Sequence, residues 1–270
     1  MADNLPYILE PQELQAAMDR GDKLLVLDLC AEDRYTHGHI PGAIYVPPRQ
    51  LMAGTPPAPG KFPPHERITA LLRSLGIEAD THVVAYDDEG GGWAGRLLWT
   101  LDVAGHRNNS YLNGGYHAWE AAGLPLSQEV PAPTPSDFEP AWDEASVSID
   151  LEEIMQRLQA GTLQVLDARS PAEYRGERVL ALKGGHIPGA INCEWTSLMD
   201  PQRDLRIRTD AAEHLAALGF DKERELVTHC QSHHRSGFTY LVGKSLGYRM
   251  RAYPGSWSEW GNTEHTPVEP

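Results

Sequence analysis

The heptapeptide GHIPGAI occupies residues 38–44 and returns, letter for letter, at residues 185–191. Two further pairs of similar segments lie on either side of it, in the same order in each half. They are LVLDLC (25–30) with QVLDAR (164–169), and SLGIEADTHVVAYD (74–87) with ALGFDKERELVTHC (217–230). Because similar segments recur in one order, the sequence predicts a tandem duplication of a single structural unit.

A proline-rich segment separates the two copies. SQEVPAPTPSDFEPAWDEAS, at residues 127–146, contains four prolines and shows no apolar periodicity. Proline lacks the backbone N–H that a helix or a central strand needs, so this segment is predicted to be an extended linker on the surface. We therefore expect an N-terminal domain at residues 1–126 and a C-terminal domain at residues 147–270. The second copy also carries an insertion of eight residues within GERVLALKG (176–184).

Each copy alternates short apolar runs with longer amphipathic stretches, a pattern typical of a parallel sheet covered by helices. The predicted strands are LLVLDL (24–29), HVVAY (82–86), LQVLDA (163–168) and ELVTH (225–229), and the predicted helices are PQELQAAMDRG (11–21) and LEEIMQRLQAG (151–161). We therefore predict an α/β protein. Ligand sites of such folds form beyond the carboxyl ends of the strands, and Asp167 and Cys230 stand at that end.

Charge and cysteine content restrict the possible functions and locations. The chain has 270 residues and a formal net charge of −15, which argues against nucleic acids and anionic membranes as partners. The N-terminal segment MADNLPYILEPQEL lacks a basic stretch followed by an apolar one, so we expect no export signal. No apolar run is long enough to span a bilayer. The three cysteines (Cys30, Cys193 and Cys230) show no paired spacing, and free thiols favour a reducing, cytoplasmic location.

The stretch THCQSHHRSG, residues 228–237, surrounds one cysteine with nitrogen-bearing side chains. It precedes a predicted helix that begins near Ser236, which is also a candidate N-cap. Free backbone N–H groups and the positive end of the helix dipole would stabilise an anion in this loop. A thiolate at Cys230 would then have a lowered pKa and act as a nucleophile, while Arg235 suits an oxyanion such as a sulfonate. The predicted anion-binding residues are Gln231, Ser232, His233, His234, Arg235, Ser236 and Gly237.

Two alternative interpretations of this loop are weaker. In the first, Cys230 is a small buried apolar side chain and the histidines lie on a surface turn. A core cysteine, however, gains nothing from so many polar and charged neighbours. The second is a zinc site built from His229, Cys230, His233 and His234. Four ligands within six residues do not spread easily into a tetrahedron, and no second ligand pair lies elsewhere, so we predict no metal site.

These features resemble a known family. Tandem domains that each contain GHIPGA, with CQSHHRSG only in the second, resemble two-domain rhodaneses, and the loop is similar to the Cys-Gln-Thr-His-His-Arg loop of bacterial thiosulfate:cyanide sulfurtransferases. The resemblance implies two rhodanese-like domains and a reaction in two steps. The Cys230 thiolate takes the outer sulfur of thiosulfate, and the resulting persulfide gives that sulfur to cyanide or another thiophilic acceptor. The loop amides would cradle the transferred sulfur. No metal or organic cofactor is implied.

The same loop is compatible with two other functions. A persulfide carrier would use identical chemistry at Cys230 but hand the sulfur to a partner protein, and no residue of the sequence names the acceptor. A cysteine-dependent phosphatase is a weaker alternative. Its related loop holds five residues between cysteine and arginine, whereas four separate Cys230 from Arg235. The shorter loop forms a tighter ring of amides, suited to one sulfur atom rather than to a phosphate.

Two residues near the end of the preceding strand in the second copy are candidate supports for the loop. The resemblance places Asp167 beside the catalytic loop. Asp28 recurs at the equivalent position without a cysteine to serve, so a structural role is favoured for both aspartates. Arg169 has Cys30 as its counterpart, which makes it either an anion-attracting group of the active half or one partner of a surface salt bridge.

Two further candidates come from the segments that follow. His186 recurs as His39, which favours a structural task in orienting the HIPGA turn over a catalytic one. Trp195 forms either an apolar wall of the pocket or ordinary core packing. Cys193 stands in a predicted strand and is expected to be inert.

The first copy lacks the nucleophile. It places Asp87 where the second copy has Cys230, followed by Asp88 and Glu89. Carboxylates cannot perform the sulfur chemistry and would repel an anionic donor, so this half is predicted to be silent and to wall one side of the pocket. In the active half, AEYRG (172–176) departs from the GRYLG of animal thiosulfate enzymes by a glutamate at position 173. His233 and His234 are either protonated cations or neutral donors.

Overall fold

The first copy folds around a five-stranded parallel sheet. The structure, a computed structural model, describes residues 5–270; residues 1–4, which begin the segment that we expect to lack an export signal, lie outside it. The strands of this sheet are β1 (Ile8–Leu9), β2 (Leu24–Asp28), β3 (Ile44–Tyr45), β4 (His82–Tyr86) and β5 (Asn109–Leu112), in the order β1-β5-β4-β2-β3. The helices are α1 (Pro11–Arg20), α2 (Glu32–His37), α3 (His65–Ser74), α4 (Gly92–Val103) and α5 (Gly115–Ala121), with a 3₁₀ turn at Pro48–Leu51.

The second copy repeats this plan with one strand fewer. Its parallel sheet contains β6 (Gln164–Asp167), β7 (Ile191–Asn192), β10 (Glu225–His229) and β11 (Arg249–Ala252), in the order β11-β10-β6-β7. A separate antiparallel pair, β8 (Met199–Asp200) and β9 (Arg206–Ile207), was not predicted. The helices are α7 (Leu151–Gln159), α8 (Pro171–Tyr174), α9 (Ala211–Ala217), α10 (Arg235–Ser245) and α11 (Ser256–Trp260), with 3₁₀ turns at Trp195–Leu198 and Pro201–Arg203. The predicted α/β class with two similar domains is confirmed.

The predicted linker lies along the first copy. Residues 128–143 form no regular helix or strand, and the end of the predicted linker folds into a short helix, α6 (Glu144–Val147). The backbone N–H of Ala141 donates to the carbonyl of Ala104 at 3.0 Å, and that of Asp143 donates to the carbonyl of Val103 at 2.8 Å. These bonds hold the linker against the end of α4. The boundaries that we assign to the two domains stay a prediction.

Three clusters of buried apolar side chains hold the fold together. Adjacent residues of a strand point to opposite faces of its sheet, so in β4 Val83 joins one cluster and Val84 another. One cluster covers the outer face of the first sheet and another the outer face of the second. The largest lies between the sheets and includes both Leu27 of the first copy and Leu226 of the second. The two domains therefore share one core.

Helices α4 and α10 meet at the centre of that shared core, backbone against backbone. A Cβ atom on Gly237 would lie 2.6 Å from the backbone N of Arg96, and one on Gly95 would lie 2.2 Å from the carbonyl oxygen of Gly237. Only glycine permits so close an approach. The crossing fixes the start of α10, and thus the loop before it, against the first domain.

Within residues 5–270, no helix combines the length and apolar character needed to cross a bilayer.

Candidate active site

Cys230 lies between the end of β10 and the start of α10, where the fold places ligand sites. It is only 1% exposed. Burial opposes ionisation of this thiol, but the charge of Arg235, the hydroxyl and N–H of Ser236 and the charge of His234 together lower its pKa. Burial instead raises the pKa of Cys193 to about 11 and that of Cys30 still further. Of the three thiols, Cys230 is the one whose surroundings favour a thiolate.

The loop around Cys230 is held by a serine that sequence reasoning missed. The backbone N–H groups of Cys230 and His233 donate to Oγ of Ser256 at 3.3 and 3.1 Å. His233 and Ser256 both have a positive φ, 54° and 53°, a conformation that costs a residue other than glycine about 1 kcal/mol or more. The first copy has Gly115, with φ 54°, at the position of Ser256. The sequence did contain a signal for this role, because Ser256 stands where the aligned first copy has a glycine in a turn.

The loop amides only partly follow the prediction. The N–H of His233 is taken by Ser256, and that of Gly237 donates to the carbonyl of His234 at 2.8 Å, so these two do not point at the sulfur. The N–H of Ser236 does interact with Cys230. The amides at positions 231, 232, 234 and 235 donate to no acceptor that the structure describes. The predicted cradle is therefore smaller than the range that we assigned to it.

The predicted capping role of Ser236 is wrong. Helix α10 begins at Arg235, its N-cap is His234, and no side chain caps it. Ser236 lies inside the first turn, where its hydroxyl hydrogen-bonds to Nδ1 of His233 at 2.8 Å and interacts with the sulfur of Cys230. The hydroxyl is thus used by the anion site rather than by the helix terminus.

In the silent copy, the equivalent loop binds a carboxylate of the chain itself through its backbone N–H groups. Oδ1 of Asp87 accepts the N–H groups of Glu89, Gly90 and Gly91 at 3.2, 3.1 and 2.7 Å, and its Oδ2 accepts that of Ala94 at 3.0 Å. Asp87 occupies the position equivalent to Cys230, and Gly90, with φ 98°, the position equivalent to His233. The duplicated backbone therefore forms an anion cradle in its own right.

Two ion pairs flank the loop, and both use carboxylates from other segments. Arg235 makes a bidentate pair with Glu173 at 2.7 and 2.8 Å, and His234 pairs through Nε2 with Glu89 of the first domain. Burial resists ionisation of Glu173, but Arg235 outweighs it and lowers the pKa of that carboxyl to about 2. Burial also opposes charge on His234, but Glu89 outweighs it and raises the pKa of the imidazole. Arg235 and His234 thus each have a carboxylate partner that favours their charged form.

The comparisons with known proteins agree with this geometry. The rhodanese-like domain family matches the chain twice, at residues 10–122 and 150–263. The chain belongs to the rhodanese family. It is 53% identical over 268 residues to a thiosulfate sulfurtransferase of Azotobacter vinelandii and 51% identical over 267 residues to one of Pseudomonas aeruginosa, and each match covers 98% of both chains.

Two more distant relatives of this rhodanese extend the comparison. The sulfur carrier protein TtuD of Thermus thermophilus is 32% identical over 247 residues, which cover 87% of this chain and 86% of TtuD. Among solved structures, wild-type EanB superposes with a TM-score of 0.87 at 25% identity, over 97% of this chain and 69% of EanB. The similarity thus spans both domains of the rhodanese.

His233 is a neutral structural residue of this rhodanese. It is completely buried, and its ring lies edge-on to Trp99 of the first domain, with ring centroids 4.5 Å apart. Burial and the nearby charges of Arg96 and His234 lower its pKa well below the usual value. Of the two histidines that we considered as cations, only His234 has surroundings that favour the charged form.

The environment of Arg169 differs from both interpretations that the sequence allowed. Its guanidinium, 1% exposed, forms a bidentate pair with Asp167 through Nε (2.9 Å) and Nη2 (2.6 Å), and lies 4.2 Å above the ring of Trp257. The pair is buried rather than on the surface, and its net charge is zero, so it adds no free cation for an incoming anion. Both oxygens of Asp167 are used, and Oδ2 lies 3.6 Å from Nε2 of His229. These contacts agree with the structural role favoured for Asp167.

The two GHIPGA histidines have the same structural role. Nδ1 of His186 hydrogen-bonds to the carbonyl of Tyr174 at 3.0 Å, and its ring stacks on the same tyrosine at 3.7 Å. His39 repeats the arrangement with Tyr35, at 2.8 and 3.9 Å. Each histidine ties the HIPGA turn to the helix before it, as we expected.

Side chains from both domains form the rim of the site. Trp195 packs against the shared core, as one of its two predicted roles requires, and also lies beside His234, with ring centroids 5.6 Å apart. Its role as a wall of the pocket stays a prediction. Trp93 of the silent domain stacks on the imidazole of His234, with ring centroids 4.2 Å apart. Nε2 of Gln231 donates to the carbonyl of Leu180 in the insertion at 3.3 Å. The backbone of Ser232 packs against Gly60 of the first domain, where an added Cβ atom would lie 2.2 Å from the Ser232 carbonyl oxygen.

The loop histidines do not converge on a common centre. His229 faces Asp167, His233 faces Ser236, and His234 faces Glu89. In the part of the chain that the structure describes, no three histidine, cysteine, aspartate or glutamate side chains are placed to hold a metal ion.

The Glu173–Arg235 pair predicts a pH-dependent loss of stability. Glu173→Gln should lower the free energy of unfolding near neutral pH by about 1–3 kcal/mol, because the half-buried guanidinium loses its charged partner. A depressed carboxyl pKa stabilises the fold above the ordinary value of 4.5, and this contribution disappears as the pH falls toward 2. Urea unfolding of both proteins should therefore give curves that converge in acid.

A matched control is available in the neighbouring pair of Arg175 and Glu177, which is exposed. Glu177→Gln should leave stability unchanged at every pH. If the loss of unfolding free energy in Glu173→Gln stayed constant from neutral pH down to pH 2, the Glu173 side chain would act by packing and not by charge.

Proposed function

We propose that this rhodanese is a thiosulfate sulfurtransferase with Cys230 as its nucleophile. The thiolate attacks the outer sulfur of thiosulfate and forms an S–S bond, while the bond between the two sulfur atoms of thiosulfate breaks and sulfite leaves with the electron pair. Cyanide or another thiophile then attacks the terminal sulfur of the persulfide, and the thiolate is restored. No metal or organic cofactor is needed, because the cysteine itself carries the sulfur between the two steps.

The strongest support for this proposal is the environment of Cys230. Cys230 is the single cysteine with a lowered pKa, and it stands where the duplicated loop holds the carboxylate of Asp87 with four backbone N–H groups. The same cradle suits the negative terminal sulfur of a persulfide. The identity of more than 50% to two thiosulfate sulfurtransferases supports thiosulfate as the donor. The three free cysteines support a reducing, cytoplasmic location.

Intact-protein mass spectrometry tests the proposal. After exposure to thiosulfate and removal of small molecules, the protein should gain the mass of one sulfur atom, and cyanide should remove it with release of thiocyanate. Cys230→Ala should gain nothing. An unchanged wild-type mass would refute the persulfide, and turnover of an aryl phosphate would favour the phosphatase instead.

A protein acceptor is a second candidate, favoured by the insertion in the active copy. Val179, Leu180 and Leu182 are exposed there, Leu182 by 83%, and Leu180 is tied to the catalytic loop by Gln231. Exposed apolar groups beside a site are typical of protein contacts, and the relative TtuD is a sulfur carrier protein. Radiolabelled sulfane sulfur should then pass from the loaded enzyme to a protein, and Leu182→Asp should slow that transfer but not cyanide turnover. Label found only in small molecules would refute the carrier.

A further inference from the structure

His234 is held in place mainly by the silent domain. Its Nε2 pairs with the carboxylate of Glu89, and its ring stacks on Trp93 of the silent domain, with ring centroids 4.2 Å apart. Trp195 of the catalytic domain makes a tilted contact with the same ring at 5.6 Å. The ring is therefore held at its edge by an ion pair and by stacking on Trp93. Because Glu89 belongs to the loop that surrounds Asp87, and Trp93 to the first turn of α4 that follows it, the silent copy of the active-site loop contacts the working copy directly.

The anionic groups that face His234 favour its protonated form. Glu89 and Asp87 face it from the silent loop, while Cys230, Arg235 and the neutral His233 belong to its own loop. The carboxylate of Asp87 is already neutralised in part by four N–H groups, so Glu89 is the anion in direct contact. The charge on His234 in turn favours the thiolate of Cys230. Arg235 cannot fully replace the charge of His234, because Glu173 occupies its guanidinium on two nitrogens. Glu89 takes only Nε2 of His234, and Nδ1 makes no hydrogen bond within the residues that the structure describes.

We propose that Glu89 is a positioning residue of the active site, which holds His234 as an imidazolium beside Cys230 and so lets it bind an anionic sulfur donor. This inference rests on the proposed function, since it needs Cys230 as the nucleophile. The site is then composite: the catalytic domain supplies sulfur chemistry, and the silent domain supplies the group that keeps one loop cation charged. Donor binding should weaken as the pH rises and His234 loses its proton.

Glu89→Gln tests the proposal, because it keeps the shape of the side chain and removes its charge. The titration of the His234 imidazole, followed by NMR, should move to lower pH. The KM for thiosulfate at pH 7 should rise on the order of tenfold, the effect of one nearby charge at a partly buried site, while kcat changes less. Glu89→Asp, which keeps the charge, should restore part of the donor binding. His234→Asn should give a similar KM, and the double variant should be no worse than either single one.

Arg206→Gln is the matched control. Arg206 of the catalytic domain pairs with Glu10 of the silent domain at 2.9 Å and makes no described contact with residues 230–237. Its loss should leave the KM and its pH profile unchanged. A similar rise in KM in Arg206→Gln would mean that the effect of Glu89→Gln comes from weaker packing between the domains and not from the positioning of His234. An unmoved His234 titration in Glu89→Gln would overturn this inference and leave the proposed function intact. A missing sulfur adduct in the wild type would refute the proposed function, whatever the His234 titration shows.

Discussion

Serine in place of Cys230 is expected to lower kcat/KM for thiocyanate formation by at least about 10⁴-fold, as loss of a covalent nucleophile does in other enzymes. The hydroxyl would occupy the same cradle, but it does not ionise near neutral pH and forms no persulfide. Initial rates with thiosulfate and cyanide measure the effect. The fold should survive, because serine is close in size to cysteine and Ser236 offers it a hydrogen-bond partner.

Cys193→Ala and Cys30→Ala provide controls within the same chain. Both thiols are buried like that of Cys230, but their pKa values are raised by burial, so neither is expected to carry sulfur. Each variant should keep its turnover and its mass adduct. Substantial activity in Cys230→Ser would place the nucleophile elsewhere and end the proposed mechanism.

Gly237→Ala should damage both stability and activity. The new methyl group would meet two backbone atoms, the N of Arg96 and the carbonyl oxygen of Gly92, each at 2.6 Å. Backbone atoms inside a packed core cannot move aside, so we expect overpacking to cost about 1–3 kcal/mol, which corresponds to about 2–12 °C in Tm for a chain of this size. A small displacement of α10 would also move the loop amides, and kcat should fall by about 10²-fold. Thermal unfolding and steady-state rates give the two readouts.

Gly243→Ala is the matched control in the same helix. There the added methyl group would meet the flexible end of Met250, whose sulfur can shift, rather than a backbone atom. The gain from replacing a helical glycine, about 0.5–1 kcal/mol, offsets the adjustment. Equal losses in both variants would mean that α10 tolerates no substitution of glycine, and that the crossing with α4 has no special importance.

Much of the fold could be predicted because it depends on local pattern. The apolar runs predicted as strands at 82–86 and 225–229 form β4 and β10 with those bounds, since such runs suit strands buried on both faces. The helix predicted from residue 11 ends at Arg20, where Gly21 takes a φ of 72°. The antiparallel pair β8–β9 has only two residues per strand, and so short a segment carries no readable periodicity.

The site was harder to predict, because its electrostatics depend on distant partners. Glu173 lies 62 residues before Arg235 and Glu89 lies 145 residues before His234, so nothing in the local sequence reveals either pair. Glu89 was interpreted only as repelling an anion, whereas it pairs with a cation. Arg169 was misjudged for the same reason: its burial against Trp257 is set by a turn far along the chain. The chemistry of Cys230 was readable because its neighbours in sequence are also its neighbours in space.

The contrast between Asp87 and Cys230 has a consequence for the timing of motion during turnover. One loop holds the carboxyl group of Asp87, whose pKa is raised to about 6 by burial and by Glu89, so that it is ionised at neutral pH. The other loop encloses a sulfur group that changes from thiolate to persulfide and back during turnover. In the resting enzyme the anion is the Sγ atom of Cys230 itself, whereas in the persulfide it is the terminal sulfur, which extends one S–S bond further into the ring of amides and can interact with more of them. Amide hydrogen exchange across 231–236 should therefore slow when sulfur is loaded, which would make the half-way intermediate the most rigid form of the enzyme.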